Sequence, residues 1–192
     1  LGFLADLEQS DVAAAVPAIV QGGYAIEERM TLTIEVRDAA GTVTGRSWAL
    51  NEASIERTIP QRLIILDVFI GSTHFARVPA DALIIATPTG STAYSLSAGG
   101  PILSPLLEAV LVTPVAPHSL FDRTVVVDPN EQLSVRPVTK DNRCVVSVDG
   151  RESLPVPDGG SVEVSRGDAP VRLARLHPVD FFSRVRVKFN LG

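Results

Sequence analysis

The sequence predicts a mainly β protein, an antiparallel β-sandwich of many short strands with flanking helices at both ends. Three observations predict it. Met30, Leu32, Ile34 and Val36 alternate with Thr31, Thr33, Glu35 and Arg37 over eight residues, the period of a strand with one buried and one wet face. Gly71-Ser72 joins the runs 63–70 and 73–77 as a tight antiparallel hairpin would. Short β-rich runs then recur at 123–128, 132–138, 143–149, 161–165 and 171–176, separated by Pro, Gly, Asp and Asn, and strands this short and this regularly punctuated favour a sandwich.

The elements follow in order. Ser10-Asp11 supplies a helix cap, and Val12, Ala15, Val16, Ile19 and Val20 recur at helical spacing until Gly22-Gly23 ends the pattern. Pro17 falls inside this helix and kinks it or marks a later start. After the alternating strand, Asp38-Ala-Ala-Gly41 turns the chain into a strand over 42–50, and Asn51-Glu52 follows its apolar end. Side chains there project beyond a sheet edge, where an amide reads an adenine edge and a carboxylate accepts both protons of a ribose diol; a simple turn pair accounts for the same two residues. Leu83 to Ala86 is a buried-strand run with Asp81 at its entrance, and Pro88 stops further pairing.

Gly90 permits a positive φ, Ser91 or Thr92 caps a short helix over 93–98, and Gly99-Gly100 before Pro101 stops it. This aims helix N–H groups at whatever sits above the strand, an arrangement that attracts phosphate. Thr92, Ser95 and Ser97 offer hydroxyls to ribose or base edges, and Tyr94 offers a ring for stacking. On composition alone, a tight Gly/Ser/Thr turn between strand and helix explains this loop equally well. At the tail, 185–189 alternates like a strand, and Arg184, Arg186 and Lys188 read as a solvated face.

Composition narrows the function classes. With 192 residues, 45% of them hydrophobic, and a formal net charge of -5, the chain can bury a sizeable core and is not suited to electrostatically driven nucleic-acid binding. Its only lysines are Lys140 and Lys188, and the arginines are scattered. No apolar stretch approaches the roughly 20 residues needed to span a bilayer, and Leu1 opens without a signal-peptide pattern, so no membrane partner and a cytoplasmic location are expected. The single Cys144 excludes an internal disulfide and reads as a buried thiol, and His74, His118 and His177 are too irregularly spaced for a zinc site. No metal-binding residues are assigned. Asp149-Gly150 reads as a hairpin turn.

Thr87-Pro-Thr-Gly-Ser-Thr-Ala-Tyr-Ser-Leu-Ser-Ala-Gly-Gly-Pro101 closely resembles the signature of bacterial NAD kinases. Leu1-Gly-Phe-Leu4, Ala49-Leu-Asn-Glu52, Thr113-Pro-Val-Ala-Pro-His-Ser-Leu120 and Val148-Asp-Gly150 resemble the same family in the same order, with a weaker match at Phe181-Phe182. The resemblance implies the C-terminal domain of a two-domain fold: 1–25 as a remnant of the N-terminal nucleotide-binding domain, 26–176 as the NAD-binding sandwich, and 177–192 as a segment, helical in the family, that packs toward that N-terminal domain. It implies transfer of the ATP γ-phosphate to the 2′-hydroxyl of the adenosine ribose of NAD, giving NADP, with Mg²⁺ or another divalent cation accompanying ATP.

By the same resemblance Asn51, Glu52, Thr92, Ala93, Tyr94, Ser95, Leu96 and Ser97 hold NAD. Polar contacts just after the Val148-Asp-Gly150 match extend the set to Arg151. Asp81 reaches the NAD of a neighbouring subunit, which implies a homo-oligomer, dimer or tetramer, with a shared site. The family's Gly-Gly-Asp-Gly phosphate motif is absent from the 192 residues. No catalytic residue is therefore assigned in this chain, which looks truncated and is expected to bind without transferring phosphate. Some members carry a basic residue two positions before the aspartate matched by Asp81, where this chain has Pro79; Arg77 is left unassigned. Two other classes compete: a non-catalytic nucleotide-binding or regulatory module, and a related lipid kinase.

Overall fold

The computed structural model describes residues 7, 11–58, 63–120, 122–138, 144–177 and 180–192. The matched segment Leu1–Leu4 and the capping candidate Ser10 lie outside them. In chain order the elements are α1 (Val12–Val20), β1 (Ala25–Arg29), β2 (Leu32–Arg37), β3 (Val43–Ala49), β4 (Glu52–Arg57), β5 (Ile64–Ile70), β6 (Thr73–Ala80) and β7 (Ala82–Ala86). A 3-10 turn (Gly90–Thr92) and α2 (Tyr94–Ser97) come next, then β8 (Val110–Val115), β9 (Val125–Val127), β10 (Leu133–Pro137), β11 (Cys144–Val148), β12 (Glu152–Val156), β13 (Ser161–Arg166), β14 (Val171–Arg175) and α3 (Phe181–Lys188). They form two compact units, Met30–Pro170 and the two flanks that end at Arg29 and begin at Val171.

The larger unit is the predicted sandwich. One six-stranded sheet runs β3-β2-β13-β10-β5-β6 and the other β12-β11-β4-β7-β8-β9, with antiparallel pairing throughout. Alternation decides which side chains enter the core. Leu32, Ile34 and Val36 of β2 and Leu66 and Val68 of β5 meet Ala53 and Ile55 of β4, Leu83 and Ile85 of β7 and Val146 of β11 in one buried cluster. Strand β7 is apolar on both faces because both are covered. Its other face, Ile84 and Ala86, packs with Leu111 against Ala98, Leu103 and Val115. The segment after β7 therefore folds back over the outer side of its own sheet.

The smaller unit pairs β1 with β14 in an antiparallel ribbon and carries α1 and α3. Asp180 caps α3, its Oδ1 accepting the Phe182 and Ser183 N–H groups, each at 3.1 Å. The tail is thus the helix implied by the resemblance, and its strand-like alternation is overridden by that cap. Helix α1 begins at Val12 and runs through Pro17, so Pro17 does not mark a later start.

Four strands escape the sequence patterns. β8 and β12 contain Pro114 and Pro155, yet β12 is a sheet edge, and β9 pairs with β8 only as far as Val112, so each proline sits where no ladder donor is needed. β1 and β4 carry too few apolar residues to register as strands. The helix expected over 93–98 is also shorter than predicted: a 3-10 turn gives way to four residues of α-helix, and no side chain caps either one.

Candidate functional site

The site begins at a hairpin. Asp149 and Gly150 both have positive φ, 47° and 64°, and the Arg151 N–H donates to the Val148 carbonyl at 2.8 Å. Three residues, Asp149 to Arg151, separate the paired Val148 and Glu152 of β11 and β12, and Asp-Gly suits the turn because aspartate and glycine tolerate the left-handed region. The Asp149 side chain adds a long-range role. Its Oδ2 accepts the Leu50 N–H at 2.8 Å, and its Oδ1 accepts those of Asn51 and Glu52 at 2.8 and 3.0 Å. One carboxylate thus holds the backbone that turns β3 into β4 and sets the direction of the Asn51 and Glu52 side chains.

The loop after β7 is tied to the same backbone. The Thr87 N–H donates to the Asn51 carbonyl at 2.8 Å, the Thr87 hydroxyl donates to the Leu50 carbonyl at 2.6 Å, and the Gly90 N–H donates to Thr87 Oγ1 at 3.1 Å. Gly90 packs directly on Asn51: a Cβ at this position would lie 2.6 Å from the Asn51 carbonyl carbon and 2.9 Å from its Cα. Further along, Ser91 Oγ accepts the Leu103 N–H at 3.0 Å. Ser95 Oγ, Thr113 Oγ1 and Thr124 Oγ1 form a hydroxyl chain at 3.0 and 3.1 Å.

The loop thereby carries Tyr94 over the outer face of β4, the face that bears Glu52, Ser54 and Glu56 at alternate positions. The Tyr94 N–H donates to the Glu52 carboxylate. Glu52 Oε2 is nevertheless buried without a hydrogen-bond partner, as is Ser54 Oγ. Burial, then the nearby Asp149 charge, pushes the Glu52 carboxyl up to about 7 from its ordinary 4.5, against the pull of the Tyr94 N–H. Because the folded value lies above the unfolded one, the group stabilises the fold below about pH 4.5, and that contribution is lost as pH rises through about 7. Near neutrality this half-buried carboxyl lies close to its midpoint, with the Tyr94 N–H opposing burial and the Asp149 charge, and carboxyls perturbed in this way are enriched at functional sites.

The structure brings most of the expected residues together. Asn51 and Glu52 lie at the β3–β4 turn, Glu52 opening a strand that the sequence reading did not contain. Thr92, Ala93 and Leu96 are half-buried beside Tyr94, and Ser97 is exposed. Two expectations need correction. Ser95 is fully buried with its hydroxyl engaged by Thr113, so its side chain secures the loop and does not face a ligand. The single turn of α2 also cannot supply the phosphate-attracting helix start that the sequence suggested.

Asp81 stands at the far end of β7 from Thr87, as expected. It pairs with Arg57 at 3.1 Å, and its charge is felt by the Tyr94 phenol. Arg151 stacks on Trp48, 4.7 Å from the ring centroid, and donates to the Trp48 carbonyl at 2.6 Å, so it lies at the rim behind Asp149. Cys144 is buried, and burial pushes its thiol up to about 12, as an inert core residue requires. Sequence reasoning missed the reach of Asp149 and the positions of Ser54 and Glu56. An Asp-Gly turn gave a signal for the first; Ser54 and Glu56 are legible only once β4 is known to be a strand.

The chain has relatives among known proteins. The family model for the ATP-NAD kinase C-terminal domain matches residues 50–176, which span the β3–β4 turn, the crossing loop and the Asp149 hairpin. NAD kinase 2 of Streptomyces avermitilis is 40% identical over 191 residues, covering all of this chain and 63% of that protein. An NAD kinase of Corynebacterium glutamicum is likewise 40% identical, and the chain covers 66% of it. The chain thus spans a little under two thirds of the length of these curated relatives. Among solved structures, yeast NADH kinase complexed with NADH superposes with a TM-score of 0.88 at 28% identity, over the whole of this chain and 57% of that one. An NAD kinase from Archaeoglobus fulgidus in complex with ATP shares the fold, with a TM-score of 0.79 at 22% identity over 71% of its length.

Proposed function

The chain belongs to the ATP-NAD kinase family through its C-terminal domain, and on that premise we propose that it is the NAD-holding part of an enzyme that transfers the γ-phosphate of ATP to the 2′-hydroxyl of the adenosine ribose of NAD. The observation that carries this reading is the buried, unpartnered Glu52 Oε2 on a carboxyl that titrates near neutrality. A carboxylate so placed gains most from a ligand that donates hydroxyl protons to it, and a ribose diol does so. Asn51 supplies an amide beside it, and Thr92, Ala93, Tyr94 and Leu96 line the loop that crosses the strand. In this reading Ser97 contributes from the exposed side, Ser95 through its backbone and Arg151 from the rim, while Asp81 serves the dinucleotide of a neighbouring subunit in a homo-oligomer.

Phosphoryl transfer needs mainly positioning and charge stabilisation. This chain's share is to bind the acceptor, orient its hydroxyl and exclude water around Glu52. Mg²⁺ or another divalent cation would arrive with ATP. Among the described residues no three carboxylate, histidine or cysteine side chains converge as a metal site would need, so no step is assigned to a metal here. Among the described residues no helix is long and apolar enough to cross a membrane; the cytoplasm is the proposed location, NAD, NADP and ATP the proposed partners. The exposure of Val12, Val16 and Val20 of α1 and of Phe182 and Val187 of α3 supports the reading of 1–25 as a remnant of a nucleotide-binding domain and of 177–192 as a segment that packs toward it.

The test is ATP-dependent NADP formation by the full-length parent protein, alongside Glu52→Ala and Asp81→Ala variants shown to be folded. Loss of about 100-fold or more in kcat/KM for Glu52→Ala is expected, the scale of about 3 kcal/mol when a charge-assisted hydrogen bond in a desolvated site is removed. A folded parent that binds NAD without phosphorylating it would point to a binding module, and preferential phosphorylation of lipid to a lipid kinase.

A further inference from the structure

Helix α2 cannot hold its own place. It has four residues and no side chain caps its start, and a single turn of this kind is unstable in isolation. Two of its anchors fall on Ser95. The Gly100 N–H donates to the Ser95 carbonyl at 2.8 Å, and the Ser95 hydroxyl meets Thr113 Oγ1 at 3.0 Å. The approach is close: a Cβ on residue 100 would lie 2.4 Å from Ser95 Oγ. Ser95 is wholly buried, and its hydroxyl has no other partner among the described residues.

Thr113 is out of character for its strand. On the outer face of β8 it stands between Leu111 and Val115, which pack with Ile84 and Ala86, and across the ladder it faces Ile84. A valine of nearly the same shape would suit these neighbours. At 1% exposure the threonine hydroxyl must be satisfied within the protein. It is the middle member of the chain Ser95, Thr113, Thr124, with Thr124 Oγ1 at 3.1 Å. A middle hydroxyl donates to one neighbour and accepts from the other. Removing it strands Ser95 Oγ in a dry place, whereas Thr124 is partly exposed and can turn to water.

The consequence reaches the site through Tyr94, the residue before Ser95. Its N–H donates to the Glu52 carboxylate and opposes the upward pull of burial and of Asp149 on that carboxyl. Resting on the dinucleotide reading above, we infer that Thr113 is a positioning residue for the phosphoryl acceptor: through Ser95 it fixes α2, and so keeps the Tyr94 N–H on Glu52. It acts from the strand behind the loop, 18 residues beyond Ser95, and not by touching the ligand.

The test is NAD⁺ binding by the full-length parent protein across neutral and alkaline pH, for the wild type, Thr113→Val and Thr113→Ser, well below each protein's Tm. Loss of the Tyr94 N–H leaves burial and Asp149 unopposed, so the Glu52 carboxyl rises further and less of it is ionised at neutrality. Thr113→Val is expected to weaken NAD⁺ binding about 3- to 10-fold at about pH 7 and less than about twofold at about pH 9, where the carboxyl is ionised in both proteins. Thr113→Ser keeps the hydroxyl and is expected to bind as the wild type does. A purely structural role would lower stability without this dependence on pH. The groups around Glu52 are the same in every variant: Asp149 from the β11–β12 turn, with Arg151 beside it at 3.4 Å, Tyr94 from α2, and Glu56 further along β4. Should Thr113→Val not fold, Ser95→Ala breaks the same bond from the other side, leaves Thr113 paired with Thr124, and gives the same readout. Unchanged affinity in the folded variants, a loss equal at both pH values, or a loss shared by Thr113→Ser overturns the inference and leaves the dinucleotide reading standing. A wild type that binds no NAD⁺ overturns both.

Discussion

Asp149→Ala is expected to destabilise the sandwich unit by about 3–5 kcal/mol, lowering its Tm by about 10 °C or more. Three backbone N–H groups, those of Leu50, Asn51 and Glu52, lose their acceptor at once. The aspartate side chain is only 9% exposed, so water cannot replace it without opening the turn. Alanine is also strained at the φ of 47°, a smaller contribution of about 1–2 kcal/mol. Asp149→Asn separates the two, because asparagine tolerates that φ but offers only one acceptor oxygen. It is expected to recover the strain and to retain most of the hydrogen-bond loss. Removing the Asp149 charge also lets the Glu52 carboxyl fall back toward its ordinary range, since Asp149 is the second cause of its shift after burial. Thermal unfolding of both variants checks this, and a loss below about 1 kcal/mol in Asp149→Ala would mean that the turn does not depend on the aspartate.

Gly90→Ala is expected to cost about 3 kcal/mol or more, because the new methyl group meets backbone and not a movable side chain. The added Cβ would fall 2.6 Å from the Asn51 carbonyl carbon, and that carbonyl already receives the Thr87 N–H. The loop or the β3–β4 turn must yield, so nucleotide affinity should fall together with stability. Gly99 provides the contrast. It has a φ of +85° with nothing within 4 Å of the added Cβ, so Gly99→Ala pays only conformational strain of about 1–2 kcal/mol and should leave the site intact. Denaturant unfolding with an NAD⁺ titration on each variant distinguishes the close approach from the strain.

The contrast between legible and illegible features follows the range of the forces involved. The β2 alternation, the Gly71 hairpin and the end of β7 at Pro88 are local patterns, and each appears where the sequence places it. The wording from Thr87 to Pro101 marked the crossing loop, and its Gly90 and Gly100 proved to be close-approach positions. Strand β4 was hidden because Glu52, Ser54 and Glu56 occupy the face that would identify it, leaving only Ala53 and Ile55 as apolar markers. β8 and β12 were hidden by prolines that edge positions tolerate. The hydroxyl of Ser95 read as a ligand group because nothing in the loop itself shows that Thr113, 18 residues on, will engage it. Asp149 was read as a turn residue, which it is; its hold on a backbone nearly a hundred residues earlier in the chain is a product of the β4–β11 pairing and has no local signature.

The account turns on Glu52 as an acceptor of ligand hydroxyl protons, and the proton count of NAD⁺ binding tests it most directly. A carboxyl titrating at about 7 is half protonated at neutral pH, and a bound diol requires the ionised form, so binding must expel a proton and tighten as pH rises through 7. Calorimetric titration of NAD⁺ at pH 7 in two buffers of different ionisation enthalpy should show release of about half a proton per site, absent in a folded Glu52→Gln variant. Binding with no linked proton, or with a linked proton that persists in Glu52→Gln, would contradict the assignment of Glu52 to the ligand.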